Sequence, residues 1–431
     1  MTINMRDAFP RDLALFVKRE WGKSRSLPAL KYLEPLLSTC YHTSLLREEA
    51  RPIKFRLLLC HPELLPPQDG PPRGLHRLVF IKPRRLNRNE LRRLSPATDF
   101  HRALIGVHLN DEKQWEIWGI VHSGSLWANA MNGGAKDSPE LPKVPLIQVG
   151  GPSQLTVCRG SDVVASLLGG RLTTPNADVL DSEWVTRLFS ELRFDVNEQH
   201  QSAREAGKGT KWAAIDEQFI GELIRSFLKR LISAMHQTSN GSSLLFVPND
   251  RAEKFSSDNE FVNFKYRFTP VAARRRFVTL LVQALNGLAA LHAGSDQPVG
   301  WKEHVAACVT GQMQDLDDAL SELAYMIANL TAIDGAVILS RNFEVLGFGA
   351  EITELSDVKR VARATDAEGD QVRLEATESQ GMRHRSVYRL CNAVTSIMGL
   401  VISHDGEIRF VKHRDGRVTY WNQLAHAALE S

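Results

Sequence analysis

The stretch IDEQFIGELIRSFLKRLISAMHQTSNGSSLLFVPND, residues 215–250, changes its hydrophobic period once. Ile215, Phe219, Ile220, Leu223, Ile224, Phe227, Leu228, Leu231 and Ile232 recur at three- and four-residue steps, which is one face of a helix. Asn240-Gly241 closes it, since these residues accept the backbone conformation that ends helices. SLLFVPND, residues 243–250, follows directly as a strand. Downstream, 274–293 and 316–330 repeat the helical pattern, and AVILS (336–340), VLGFGAEI (345–352), GLVISHDG (399–406), EIRFVK (407–412) and VTYWN (418–422) read as strands. Helices and strands mixed in this order predict an α/β domain, a mixed β-sheet flanked by helices.

Upstream the pattern differs. Residues 1–60 predict a helical segment, from LALFVKREW and LKYLEPLLSTCYHTSLL, and HPELLPPQDGPPRG (61–74) breaks it as a linker or long loop. From 75 to about 175, RLVFIK, ALIGVHL, QWEIWGIV, PLIQV, QLTVC and VVASLL are short strands between turn-rich runs such as NGGAKDSPELP. This predicts a β-rich N-terminal module with a helical start. The polar run DVNEQHQSAREAGKGTK, 195–211, reads as the boundary to the next domain. Its GKGTK lacks the full Gly-x4-Gly-Lys-Ser/Thr spacing and no strong strand feeds it, which excludes a P-loop. Trp115, Trp118 and Trp127 beside the basic PRRLNRNELRRL (83–94) read as strand core and a solvated face, rather than a platform for stacked bases.

With 431 residues and 43% hydrophobic content, the chain has material for two or three domains. Fifty-three basic against 50 acidic residues leave a net charge of +3, too little for the whole molecule to be a polyanion or nucleic-acid binder, so any anion site is local. Cys40, Cys60, Cys158, Cys308 and Cys391 are scattered, with no CxxC pair, which points to a reducing cytoplasm. No segment runs eighteen apolar residues, so no membrane span is expected. The 14 histidines include no HExxH, and there is no Gly-x-Ser-x-Gly elbow. Cys391, inside a predicted helix, reads as a small buried hydrophobe.

Two motifs carry chemistry. Asp334-Gly335-Ala336 stands between the helix ending in MIANL and the strand AVILS; its carboxylate suits a divalent ion or a hydroxyl, although Asp-Gly is also common in plain turns. GMRHRSVYRL, 381–390, follows the polar DAEGDQVRLEATESQ, which reads as a loop. Arg383 and Arg385 offer planar donor forks for phosphate around His384, and a helix starting at Arg383 adds its N-terminal amides. The alternative is a basic face salt-bridged to Glu375 and Glu378.

The pair, in this order and about fifty residues apart, resembles the diadenylate cyclase domain family: Asp334, Gly335 and Ala336, then Gly381, Arg383, His384 and Arg385, with Ser403 near the family's late strand serine. The resemblance covers roughly 205–425, with an apparent insertion at about 254–315, and leaves 75–195 as a sensor or regulatory domain. It implies condensation of two ATP into cyclic di-AMP and pyrophosphate with Mg2+ or Mn2+. Asp334 would then ligate the metal or activate the 3'-hydroxyl, and Arg383, His384 and Arg385 would hold phosphates. Gly335, Ala336, Gly381, Ser403, Leu245 and Val247 would line the nucleotide. One ATP per domain implies a homodimer or larger homo-oligomer, gated by an unidentified small-molecule or protein signal at the N-terminal module. Met382 replaces a small hydroxyl residue of the family, Cys391-Asn392 its Ser-Glu, and His404 the acidic residue after the late serine, with Asp405 and Glu407 close by. These departures leave a second reading, a catalytically silent sensor of adenine nucleotides or cyclic dinucleotides in bacterial signalling or defence.

Overall fold

A computed structural model describes residues 7–22, 26–65, 70, 75–100, 102–124, 143–160, 162–173, 178–207, 211–238, 241–269, 272–353, 355–403 and 407–423. They divide into two compact units, the first running to Pro175 and the second from Asn176. Trp127, the NGGAKDSPELP turn, His404, Asp405 and parts of the 61–74 and GKGTK runs lie outside the described residues. No helix among the described residues is long and apolar enough to cross a membrane.

The first unit begins with helices α1 (Pro10–Trp21) and α2 (Leu30–Ser44) and a short ladder of β1 (Arg47–Glu48) and β2 (Arg51–Pro52). Then come β3 (Phe55–Leu59), β4 (His76–Arg85), α3 (Arg88–Leu94), β5 (Ala103–Leu109), β6 (Trp115–His122), β7 (Pro145–Gly151), β8 (Gln154–Arg159), β9 (Asp162–Leu168) and β10 (Arg171–Thr173). β3 to β10 form one sheet in the order β10-β9-β8-β7-β3-β5-β6-β4. Period-two alternation gives β3 two apolar faces: Phe55 and Leu57 pack with Leu13, Val17, Leu33 and Leu36 of the helices, and Leu58 packs with Leu104, Trp118 and Leu146. The start expected to be helical through residue 60 is helical only to Ser44: α1 and α2 pack into this unit's core, and Phe55–Leu59 is the buried strand β3. Trp118 is fully buried and its Nε1 donates to the Cys60 carbonyl at 2.8 Å, a core residue rather than a stacking platform.

The second unit contains α4 (Glu183–Leu188), α5 (Ser190–Ala206), α6 (Phe219–Thr238), β11 (Ser242–Val247), β12 (Val262–Arg267), α7 (Arg276–Leu291), α8 (Trp301–Val309) and α9 (Gln314–Leu330). It continues through β13 (Ala336–Ser340), β14 (Val345–Ile352), β15 (Arg360–Ala364), β16 (Val372–Ala376), α10 (Met382–Ala393), β17 (Met398–Ile402), β18 (Ile408–Arg414) and β19 (Arg417–Gln423). The mixed sheet runs β12-β14-β13-β11-β17-β18-β19-β15-β16. β11 lies at its heart, parallel to β13 (Ser243 opposite Ala336) and antiparallel to β17 (Ser242 opposite Ile402). Successive side chains of β11 face opposite layers. Leu245 and Val247 join Val387, Tyr388 and Leu390 of α10, whereas Phe246 meets Phe189 and Phe343 at ring-centroid distances of 5.7 and 5.3 Å.

Two stretches read as irregular form regular elements. The run read as a linker at 195–211 is helical through Ala206, the end of a helix that buries Leu192, Val196 and His200; a stripe one residue wide per turn gave too little apolar signal. Residues 254–315, read as an insertion relative to the resembled family, supply the edge strand β12 and helix α7, which buries Phe277, Leu281, Leu285 and Leu288. Within the polar run before Gly381, Val372–Ala376 forms the opposite edge strand, none of whose side chains is buried.

Candidate functional site

The register places one end of the sheet under every candidate motif. Asp334-Gly335 enters β13 beside the start of β11, and β17 finishes beside that same start before Ser403. α10 packs on β17 and β18 and leads into β17 through a short turn, so its first turn returns to this end. Arg383 Nη2 stands 3.9 Å from Asp334 Oδ1, with 41% and 88% of the two side chains exposed.

Gly335 is fixed by geometry. Its φ is +115°, and a Cβ there would fall 2.6 Å from the Gly349 carbonyl carbon and 2.8 Å from its Cα. β13 and β14 approach too closely at this point for any side chain, and the turn that this permits leaves the Asp334 carboxylate outside the sheet. Lys265 of β12 reaches the same corner, donating from Nζ to the Asp334 carbonyl at 3.5 Å and pairing with Glu351 at 3.2 Å. Gly335→Ala is expected to destabilise the second unit by more than about 1 kcal/mol, because left-handed backbone strain adds to the overlap. Urea unfolding of the full chain measures it; an unchanged midpoint would show that the β13–β14 corner relaxes.

α10 begins at Met382 after Gly381, which has no side-chain cap. Arg383 and Arg385 sit in the first turn, where unpaired amides already favour an anion. Arg385 Nε is buried without a hydrogen-bond partner among the described residues. Arg389 is committed elsewhere: its guanidinium donates from Nε and Nη2 to Asp357 Oδ1 at 3.0 and 2.8 Å, holding that carboxyl below its ordinary range. Glu375 accepts from Tyr420 Oη and lies 3.6 Å from Arg363 Nη1, whereas the carboxylate beside Arg383 is that of Asp334.

The remaining candidates divide into surface and framework. His384 is buried on α10, its ring centroid 6.2 Å from that of Tyr388, and supports the first turn rather than reaching outward. Leu245 and Val247 are fully buried beneath α10, because strand alternation turns them into the core, and are not positioned to touch a nucleotide. Ala336 is likewise buried. Ser403 closes the turn between β17 and β18: its N–H donates to the Glu407 carbonyl at 2.9 Å, and its Oγ accepts from the Glu407 N–H at 3.0 Å.

Beneath this surface lies a buried cation that the sequence did not single out. Arg409 of β18 donates from Nη1 to Gln380 Oε1 (2.7 Å) and Tyr388 Oη (2.8 Å), and from Nη2 to Glu407 Oε2 (2.5 Å). Its guanidinium lies 4.4 Å from the Tyr420 ring centroid. Burial opposes its charge, but Tyr388, Glu407 and Tyr420 more than offset this and raise its pKa. Burial in turn raises the Tyr388 phenol, so the hydroxyl stays protonated. Because Gln380 immediately precedes Gly381, this network anchors the chain where α10 starts. A signal was present, a charged residue at an inward-facing strand position of EIRFVK.

A cleft of about 630 Å³, lined by Trp184, Arg187, Arg341, Lys412, Arg414 and Trp421 among others, contains none of these groups. It lies toward the opposite sheet end, where β13 finishes at Ser340 and Lys412 pairs with Met398.

The second unit is thus an α/β domain with an exposed carboxylate and two arginines gathered at a helix N-terminus, an arrangement suited to an anionic ligand that brings a cation. In the first unit, residues 22–122 match the family of the probable sensor domain DACNV. No curated protein and no solved structure matches the chain.

Proposed function

We propose that the second unit is a diadenylate cyclase domain that condenses two ATP into cyclic di-AMP and two pyrophosphates, and that the N-terminal module regulates it. The observation that carries this reading is the meeting of Asp334 with Arg383, from motifs about fifty residues apart, at the N-terminus of α10. The match of residues 22–122 to a sensor family associated with diadenylate cyclases supports it independently.

The chemistry follows from positions. Each 3'-hydroxyl has to attack the α-phosphate of the other nucleotide in line, so placement and neutralisation of charge supply most of the rate. Arg383 and Arg385, with the amides of the first turn, bind phosphate oxygens. Asp334 is then displaced from Arg383 by the stronger anion and is free to orient the attacking hydroxyl. The corner fits a Mg2+ or Mn2+ ion that arrives with the triphosphate, since Asp334 gives one exposed carboxylate oxygen and such ions complete their shells with phosphate and water. When bound, the ion would neutralise charge on the phosphates. One domain offers a single Asp334 and one arginine pair, so closing a ring of two phosphodiesters requires two domains face to face in a homodimer or larger assembly. A signal at the N-terminal module that alters this facing would alter turnover.

A second reading, nucleotide sensing without turnover, draws on Met382 and Cys391. Met382 is 77% exposed at the first position of α10, where a hydroxyl would contact phosphate. Cys391 is fully buried, its thiol pushed up to about 12, and is removed from any ligand. Incubating the purified full chain with ATP and Mn2+, and identifying products by mass, separates the readings. Cyclic di-AMP is expected. No product together with an ATP-dependent rise in the thermal midpoint would favour sensing, and neither effect would overturn both.

A further inference from the structure

A second cluster, separate from the Asp334 corner, joins α8 to the first turn of α9. His304 and Cys308 lie one helical turn apart on α8, and Asp317 opens α9. One ligand atom from each falls within 4.8 Å of the others, and His304 Nε2 lies 3.7 Å from Cys308 Sγ. From these positions we infer that His304, Cys308 and Asp317 form a binding site for a thiophilic divalent metal of the zinc class, clamping α8 against α9.

The spacing of the three groups fits a metal as well as it fits the hydrogen bond between His304 and Cys308. Metal–nitrogen and metal–sulfur bonds of about 2.05 and 2.3 Å at a tetrahedral angle place N and S about 3.6 Å apart, which matches the observed 3.7 Å. The Asp317 carboxylate lies within 4.8 Å of both, at most about 1.5 Å beyond the ligand spacing of a tetrahedral site, a gap that a side-chain rotation closes. One oxygen of that carboxylate accepts from Arg230 Nη2, whose Nη1 also donates to the Asp317 carbonyl and to Ser321 Oγ, each at 2.8 Å. This second layer anchors the carboxylate through one oxygen, about which the other can turn toward a metal.

The protonation states suit the assignment. The His304 ring is packed beside Phe219 and Trp301, with centroids 5.4 and 5.6 Å away. Burial lowers its pKa to about 4, so the imidazole is neutral with a lone pair to give. Burial pushes the Cys308 thiol up to about 12, so the metal has to displace its proton: the S–H bond breaks, a metal–sulfur bond forms and one proton passes to solvent. The metal's two positive charges then meet one thiolate and one carboxylate, with Arg230 retained at the edge. With three protein ligands, a fourth position remains for water.

Cobalt(II) is the probe. The full chain, stripped with a chelator and titrated with Co2+, is expected to bind one equivalent with a thiolate-to-cobalt charge-transfer band and tetrahedral visible bands, released by one equivalent of Zn2+. Cys308→Ser should abolish the charge-transfer band. His304→Gln should weaken Co2+ binding at least tenfold, while Asp334→Asn should leave the spectrum unchanged. If Cys308→Ser does not fold, the wild-type titration and His304→Gln still decide. No thiolate band in the wild type, or a band that survives both substitutions, overturns the site.

Discussion

Replacing Asp334 by asparagine is expected to reduce cyclic di-AMP formation by ~100-fold or more while leaving the fold intact. The side chain is 88% exposed and its ion contact is with Arg383 at 3.9 Å. An exposed pair of this kind contributes at most about 1 kcal/mol, so the melting temperature should move by a few degrees at most. Asparagine keeps the volume and one acceptor but loses the charge that the proposed reaction needs to orient a hydroxyl or hold a cation. ATP binding should persist, because Arg383 and Arg385 remain and lose a competing carboxylate. Arg383→Ala should behave oppositely, weakening ATP binding along with turnover. Mass-resolved product assays and ATP-dependent thermal shifts on both variants measure these outcomes. An Asp334→Asn protein with undiminished turnover would show that the exposed carboxylate has no part in the reaction.

The parts of the molecule that were legible in sequence are those where burial writes a strong period. Helix α6 and strands β11, β13 and β14 carry continuous apolar faces, and each is a buried layer of the second unit. The short strands from β5 to β9 were legible for the same reason. What escaped was written in partial exposure. β16 is an edge strand with one neighbour and no buried side chain, and α5 buries only Leu192, Val196 and His200. The candidate site was legible in its glycines and charges. Gly335 is demanded by a backbone approach that the dipeptide Asp-Gly signals, and α10 starts within two residues of Arg383. Composition could not tell which members of the motifs face outward. His384, Leu245 and Val247 turn inward because the helix face and the strand alternation are set by the core they pack against.

The second large effect concerns the arginine that no motif marked. Arg409→Leu is expected to destabilise the second unit by about 3–5 kcal/mol, the range for removing one partner of a buried charged pair. For a unit of this size that corresponds to roughly 6–20 °C in melting temperature. Three acceptors lose their donor at once: Gln380 Oε1, Tyr388 Oη and Glu407 Oε2. Leucine fills part of the volume over the Tyr420 ring, but it offers no donor to the half-buried Glu407 carboxylate. Arg409→Lys should fall between, retaining charge without the planar fork that reaches three partners. The effect should also be local, with hydrogen exchange accelerating over 398–423 and at the start of α10. Since Gln380 leads directly into Gly381 and Arg383, loosening this anchor should weaken ATP binding even at temperatures where the variant remains folded. Melting and exchange profiles close to those of the unsubstituted protein would mean that Glu407 and Gln380 find water in place of the guanidinium, and that the start of α10 is held by its packing on β17 and β18 instead.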